Sequence, residues 1–519
     1  MSEAASGPAA SRRRKSIDDI RRECETTAMH RTLGPFQLVM IGIGCIIGAG
    51  VFVMTGTAAS HYAGPAVALS FVIAALSCLL VCLCYAELAS VLPASGASYS
   101  YAYAVLGEGF AWGLGWMLML EFGLAGSALA VGFSGYLISL LGDFSLAVPH
   151  NVSTPFLLAI AGPEGISFTK SGGINLVAAA ALLAAMLVVI RGVAHSAAIN
   201  VLLVVVKVGV LLGFVIVGAQ HIDSANLTPF IPANEGGFRF GVEGVFRAAS
   251  ILFFSYLGFE AVAAAAAEAR KPQRDVPIGI VGALVASTLL YVGVAITLTG
   301  VIPFRALDVP DPIAVAVSVL GMPLFAIVIK VGALAGLGSV LLVNTYAQSR
   351  ICHAIARDGL LPSALARLHM RYRTPVAATI SVATISAMAA AMLPISLLAD
   401  LVSLGTLCVF MTVAIAVIAL RNSHPQLPRP FRVPFGGIRL RGFWIGTVPV
   451  LALLSCLLMG APVVTDIALK AAAGEWVPAA ILGFYIVAGA ALYLFYGRPK
   501  AAALHSAAPA GAGAASRVE

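Results

Sequence analysis

Charge is what this chain has least of. Asp, Glu, Lys and Arg make up 10% of its 519 residues, against 60% apolar residues and a mean hydropathy of +0.98. That balance leaves too little polar surface for a water-soluble protein of this length and marks a polytopic membrane protein. Histidine is sparse too, and the nine present are scattered mainly in loops, with no cysteine at a metal-ligand spacing. No metal, cofactor or nucleophile with a positioned base is expected, so the chain is not read as an enzyme. Most of the eight cysteines lie in apolar segments, where thiols such as Cys78, Cys82 and Cys84 behave as small hydrophobes. Neither a disulfide framework nor a cleavable signal peptide is expected: residues 1–30 are polar and basic, and the first apolar run is too long for a signal core. No repeated charged ring or filter sequence points to a channel.

What is present is apolar length. About 20 apolar residues cross the hydrocarbon core as a helix, and residues 36–497 supply about twelve such runs. Most Lys and Arg residues fall in the N-terminal tail, the turn near Arg274, the stretch from Arg350 to Arg373, the stretch from Arg421 to Arg441, and the C-terminal tail. The positive-inside rule places these loops and both termini in the cytoplasm. The +8 formal charge then needs the lipid bilayer as partner and no nucleic acid. The chain divides into a cytoplasmic tail (1–35), five spans (36–219), five more (220–420), two last spans with their preceding loop (421–497), and an Ala-, Gly- and Ser-rich tail expected to be disordered (498–519).

Glycine marks the candidate site. Gly42, Gly44, Gly48 and Gly50 interrupt the first run in the string GIGCIIGAGVF, from Gly42 to Phe52. A helix broken at mid-membrane depth frees amides and carbonyls that lipid cannot satisfy, and such breaks bind solutes in many secondary transporters. Close helix packing at the Gly44/Gly48 pair is the competing explanation. A dinucleotide fingerprint is excluded, because Ile47 stands where the third glycine would fall. The sixth run is interrupted in the same way, by Gly258 with Glu260 close behind it. Two similar breaks five spans apart predict an inverted repeat with the site between its halves.

Single ionisable residues deep in apolar runs are functional candidates. Lys207 has apolar residues on both sides, too many for its stem to reach water, whereas for Glu121 a structural ion pair competes with function. Glu87 reads equally as an inner-gate residue or as an interfacial carboxylate reaching water. Lys330 reads as an interfacial lysine, Arg247 as a residue near the outer edge, and Trp444 and Trp476 as interfacial anchors. The last two spans carry little polar information.

Five strings together resemble the amino acid-polyamine-organocation superfamily, and within it the cationic amino acid transporter-like permeases of bacteria. They are RTLGPFQLVMIGIGCIIGAGVF from Arg31, YAELASVLPASGASYSYAY from Tyr85, FFSYLGFEAVAAAAAEARKPQRDVPIGI from Phe253, QSRICHAIARDGLLP from Gln348 and RPFRVPFGG from Arg429. The resemblance implies an all-α polytopic fold of about 12 transmembrane helices, a 5+5 inverted repeat with helices 1 and 6 broken, plus two peripheral helices. It implies that amides of Ile47, Gly48, Ala49 and Gly50 meet a substrate carboxylate, and that carbonyls of Phe253, Phe254 and Ser255, beside Gly258, meet its ammonium group. It sets Lys207 where sodium-coupled relatives hold sodium, which implies proton coupling, and Glu121 and Glu260 near the pocket. Relatives for cationic substrates commonly show paired acids after the sixth-helix alanines. Here Glu268 is followed by Ala269, so a cationic substrate does not follow from the resemblance.

The function expected is proton-coupled symport of cationic or small neutral L-amino acids by alternating access in the bacterial inner membrane. An amino acid exchanger would use the same site. A non-transporting membrane sensor is the alternative of a different class, and it would need a signalling domain for which neither tail is long enough.

Overall fold

The computed structural model describes residues 32–92, 97–162, 165–192 and 197–501. The disorder expected of the C-terminal tail therefore concerns residues that, from 502 on, lie outside the described ones.

Helix α1 (Pro35–Ile46) begins where apolar sequence begins. Pro35 occupies the first helical position, where no amide bond is lost, and the Gln37 side chain accepts the Gly34 N–H at 2.8 Å. The helix stops at Ile47, whose φ of −74° and ψ of 100° are extended. It resumes at Gly50 and runs to Ala63, wound more widely at both ends. By backbone hydrogen bonding the stretch Gly50–Val91 is one helical run of 42 residues. At 1.5 Å per residue that is about 63 Å, about twice the hydrocarbon thickness. Gly64, with φ +59°, interrupts its regular winding, and α2 (Val67–Val91) follows.

The chain continues through α3 (Ala97–Val105), the long α4 (Glu108–Asp143), the antiparallel hairpin of β1 (Leu157–Gly162) and β2 (Gly165–Lys170), α5 (Leu176–Ile190) and α6 (Ala197–Gly218). After a loop come α7 (Gly241–Leu252), a tight turn at Phe253–Tyr256, and α8 (Glu260–Ala264). Then follow α9 (Pro272–Val301), α10 (Pro312–Val319), α11 (Pro323–Arg357), α12 (Val376–Met392) and α13 (Ile395–Ser423). A second hairpin, β3 (Gly437–Leu440) and β4 (Phe443–Gly446), leads to α14 (Thr447–Ala472) and α15 (Val477–Leu492). Among the described residues nine helical stretches are long and apolar enough to cross a membrane, and α1, α5 and α12 are apolar but shorter. The protein is an all-α polytopic membrane protein.

Helix α4 lies at the centre, packed against α11, α13, α12 and α5, while α9 packs against α1 and α2. Helix α15 is peripheral and only 11% buried over its apolar window. Aromatic stacking holds it to α4: Trp116 lies on Tyr485 with ring centres 4.8 Å apart, and Trp112 on Tyr493 at 5.7 Å. The Trp116 indole donates to the Tyr485 carbonyl at 3.0 Å, and the Tyr485 hydroxyl donates to the Trp116 carbonyl at 2.6 Å.

Three polar residues singled out in the sequence are held by ion pairs. Glu87 does not reach water. It is fully buried, accepting Arg421 Nε at 2.7 Å and the Val433 amide at 2.8 Å, so it fastens the loop after α13 to the end of α2. The Lys330 ammonium group pairs at 2.6 Å with Asp143, the partly exposed last residue of α4. Arg247 is fully buried. Its two terminal nitrogens take both Asp400 carboxyl oxygens at 2.8 Å, and Nη2 also takes Asp466 at 2.8 Å. Asp466 belongs to α14, and Lys470 completes the cluster at 2.9 Å, so the penultimate helix carries polar chemistry after all. The sequence does not name these partners, because apolar length locates a span without fixing how it packs against its neighbours.

Candidate functional site

The two helix breaks meet. A Cβ built on Gly50 would lie 2.3 Å from the Ser255 Cβ and 2.6 Å from its Cα, so the backbones touch only because residue 50 has no side chain. The second break is at Leu257–Phe259, where Gly258 has φ +120° and its missing Cβ would fall 2.7 Å from the Cys45 carbonyl carbon. Both interrupting glycines thus serve the approach of one broken helix to the other.

Around the breaks the backbone groups divide by type. Of the four amides expected to meet a carboxylate, that of Ile47 is already given to the Ile43 carbonyl at 3.0 Å, as the last bond of α1. Among the described residues those of Gly48, Ala49 and Gly50 donate no hydrogen bond and form the N-terminal end of the resumed helix, where an anion is stabilised. Carbonyls are mostly taken. Phe254 O accepts the Leu257 amide at 3.1 Å. The Tyr291 hydroxyl lies 2.8 Å from Ile46 O and 3.1 Å from Ser255 O, one carbonyl from each broken helix. Its single hydrogen serves one at a time, and each carbonyl keeps a second lone pair. Phe253 is fully buried and packs edge-on to Phe410 at 5.5 Å. The Ser255 hydroxyl is buried and without a hydrogen-bond partner, which is uncommon for a buried polar atom.

Lys207 reaches the same place from α6. Fully buried, its Nζ donates to Gly44 O and, at 3.1 Å, to Ile47 O, the carbonyls at the open end of α1. No carboxylate pairs with it among the described residues. A helix C-terminus carries partial negative charge, so an ammonium group is stabilised there without a counter-ion. Room for the stem comes from Gly336 on α11, where a Cβ would press to 3.3 Å from the Lys207 Cβ.

Glu121 and Glu260 form a second group beside the breaks. Glu260 starts α8 and accepts the Tyr85 hydroxyl at 2.5 Å. Glu121, fully buried on α4, has no hydrogen-bond partner at either carboxyl oxygen among the described residues. Two acids sharing a buried space without a cation favour either a shared proton or a positively charged guest. The structure therefore brings together Ile47 to Gly50, Phe253 to Ser255, Gly258 and Lys207, and sets Glu121 with Glu260. Sequence reasoning missed Tyr291, which touches both breaks, and Tyr85. A tyrosine in an apolar run carries no local signal that its hydroxyl bridges two distant backbones.

The amino acid permease family model matches residues 33–496, the whole membrane region. The chain is similar to the methylthioribose transporter of Bacillus subtilis, 40% identical over 446 residues that cover 86% of this chain and 91% of that protein. It is similar also to the branched-chain amino acid permease BcaP of the same organism, 40% identical over 449 residues with the same coverage of each. Cationic amino acid transporter 2, vacuolar, of Arabidopsis thaliana is 38% identical over 414 residues, 80% of this chain and 63% of that one. Two apposed helix breaks, a lysine at the end of the first, and these likenesses along nearly the whole length lead to one conclusion: the chain belongs to the amino acid permease family.

Proposed function

We propose that the chain is a secondary active transporter that carries an amino acid across the bacterial inner membrane by alternating access, in symport with a proton. The observation that carries this reading is Lys207, an ammonium group with no carboxylate partner, holding the Gly44 and Ile47 carbonyls at the break. Burial in apolar surroundings disfavours a charged amine, so the group exchanges a proton when one side of the membrane wets it. Losing that proton weakens its hold on the end of α1. Opening to either side then requires the contacts of Gly50 with Ser255 and of Gly258 with Cys45 to part.

The substrate carboxylate belongs on the free amides of Gly48, Ala49 and Gly50, and its ammonium group on the carbonyls of Phe253, Phe254 and Ser255. The side chain is cationic or small and neutral. Glu121, buried and without a partner among the described residues, supports a cationic one, and relatives described as carrying branched-chain and cationic amino acids keep both classes in view. The nine long stretches and three shorter helices support about 12 spans, if α1 with Gly50–Ala63 is the first and α2 the second. On that count residues 36–219 and 220–420 are the inverted repeats, 421–497 hold the peripheral pair, and the tails 1–35 and 498–519 are cytoplasmic. The helix ends at the breaks have the polarity this arrangement needs.

The test is uptake by purified protein in sodium-free liposomes under an imposed inward proton gradient, with arginine, lysine, alanine, leucine, glutamate and methylthioribose. Gradient-stimulated uptake of a cationic or small neutral amino acid is expected. Counterflow that ignores the gradient would replace symport with exchange, and no flux of any compound would overturn the assignment.

A further inference from the structure

The stretch from the last turn of α13 to the start of α14 contains five arginines, Arg421, Arg429, Arg432, Arg439 and Arg441, and no acidic residue follows before Asp466. Two of the five, Arg421 and Arg429, are committed to Glu87. Arg432, Arg439 and Arg441 are exposed and, among the described residues, form no ion pair. The same segment folds as a hairpin whose turn, Arg441–Gly442, has φ of 50° and 85°, the two left-handed residues that a tight two-residue turn requires. Its register opposes Ile438 to Ile445, Arg439 to Trp444, and Leu440 to Phe443. Cross-strand partners share a face, so Ile438, Leu440, Phe443 and Ile445 make one face and Arg439 with Trp444 the other.

The Trp444 face is turned to the protein. Arg421 stacks on the Trp444 ring at 4.1 Å, and Asn422 accepts the Trp444 amide at 2.7 Å while donating to its carbonyl at 2.9 Å. The apolar face is therefore turned away. Ile438 is 73% exposed, Leu440 63% and Phe443 52%, with Phe435 beside them at 83%. The helices that adjoin the hairpin in the chain also turn apolar side chains outward, Ile415 of α13 and Leu451 and Leu454 of α14. Apolar side chains turned out of a rigid hairpin, rimmed by unpaired arginines and joined at both ends to membrane-spanning helices, fit a lipid surface that is anionic.

We infer that the β3–β4 hairpin is an interfacial anchor, seated on the leaflet that faces the basic loops. Ile438, Leu440 and Phe443 enter the acyl-chain boundary, and Arg432 and Arg441 meet anionic lipid headgroups. This fixes the loop between the tenth and eleventh spans to the bilayer independently of substrate.

The experiment uses the full chain with Cys24→Ser and Cys408→Ala, spin-labelled at Ile438→Cys or, on the opposite face, Arg439→Cys. The protein is reconstituted in phosphatidylcholine vesicles with or without phosphatidylglycerol. Collision with oxygen, which concentrates in lipid, is compared with collision with a water-soluble nickel chelate. With phosphatidylglycerol the oxygen-to-nickel ratio at position 438 is expected to exceed that at 439 severalfold. It should fall when the lipid is neutral or when Arg432→Glu and Arg441→Glu are introduced. A second label at Leu440→Cys repeats the reading should the first site perturb the strand. Nickel-accessible labels at both apolar positions would overturn the inference, as would a ratio indifferent to anionic lipid. Dipolar broadening that grows with protein density would give the face to a second copy instead.

Discussion

Replacing Lys207 by methionine keeps its bulk and removes its charge and its two hydrogen bonds at the end of α1. Lys207→Met should abolish stimulation of uptake by a proton gradient while leaving counterflow measurable, because the free amides and the second break are untouched. Proton-driven uptake at the wild-type level would remove Lys207 from coupling. The Arg247 cluster tests a different kind of charge. Removing one partner of a buried pair strands the other, at a cost of about 3–5 kcal/mol. Asp400→Asn should therefore lower the melting temperature in detergent strongly, and adding Arg247→Met should recover much of the loss. Equal destabilisation by single and double variants would show that Asp466 alone sustains the guanidinium. Lys207 was legible in the sequence because apolar residues flank it far on both sides. Arg247 was not, since its partners stand 153 and 219 positions away and nothing local names them.

At the scale of the helix, what matters is where the backbone stops being helical. Gly258 holds φ +120°, which costs any other residue about 1–3 kcal/mol, and an added Cβ would also strike the Cys45 backbone. Gly258→Ala should fold with a lowered melting temperature and lose most uptake. Gly50→Ala should lose uptake as well, and trimming Ser255 to glycine should not restore it. The reason is that the Ser255 Cα itself stands 2.6 Å from the intruding Cβ, so the limit is set by backbone. Rescue by the double variant would mean that the helices have slack at the break. Both breaks were readable from glycine placed in apolar runs. That they touch was not, because glycine spacing states where a helix is permitted to break and says nothing of its neighbour.

For the whole molecule the useful quantity is charge moved per cycle. Symport of a proton with a neutral amino acid, or entry of a cationic one, carries net positive charge inward. One elementary charge crossing about 100 mV is worth about 2.3 kcal/mol, which sets a ceiling of roughly 50-fold on accumulation from the potential alone. A potassium diffusion potential of that size, negative inside, should raise steady-state uptake toward that ceiling. Uptake indifferent to potential would mean a neutral cycle, as in one-for-one exchange of like charges.

The sequence by itself determined that the chain crosses a membrane, where its first and sixth apolar runs are interrupted, and that Lys207 lies deep. Each follows from a local property: apolar length, the absence of a side chain, or distance along a helix from water. Tertiary structure alone decided that the two breaks press together, that Tyr291 touches both, that Glu87 is a clasp for the loop after α13, and that Arg247 is the buried centre of an ion cluster. Those facts depend on the depth and rotation of each helix, which are set by packing against neighbours distant in the chain.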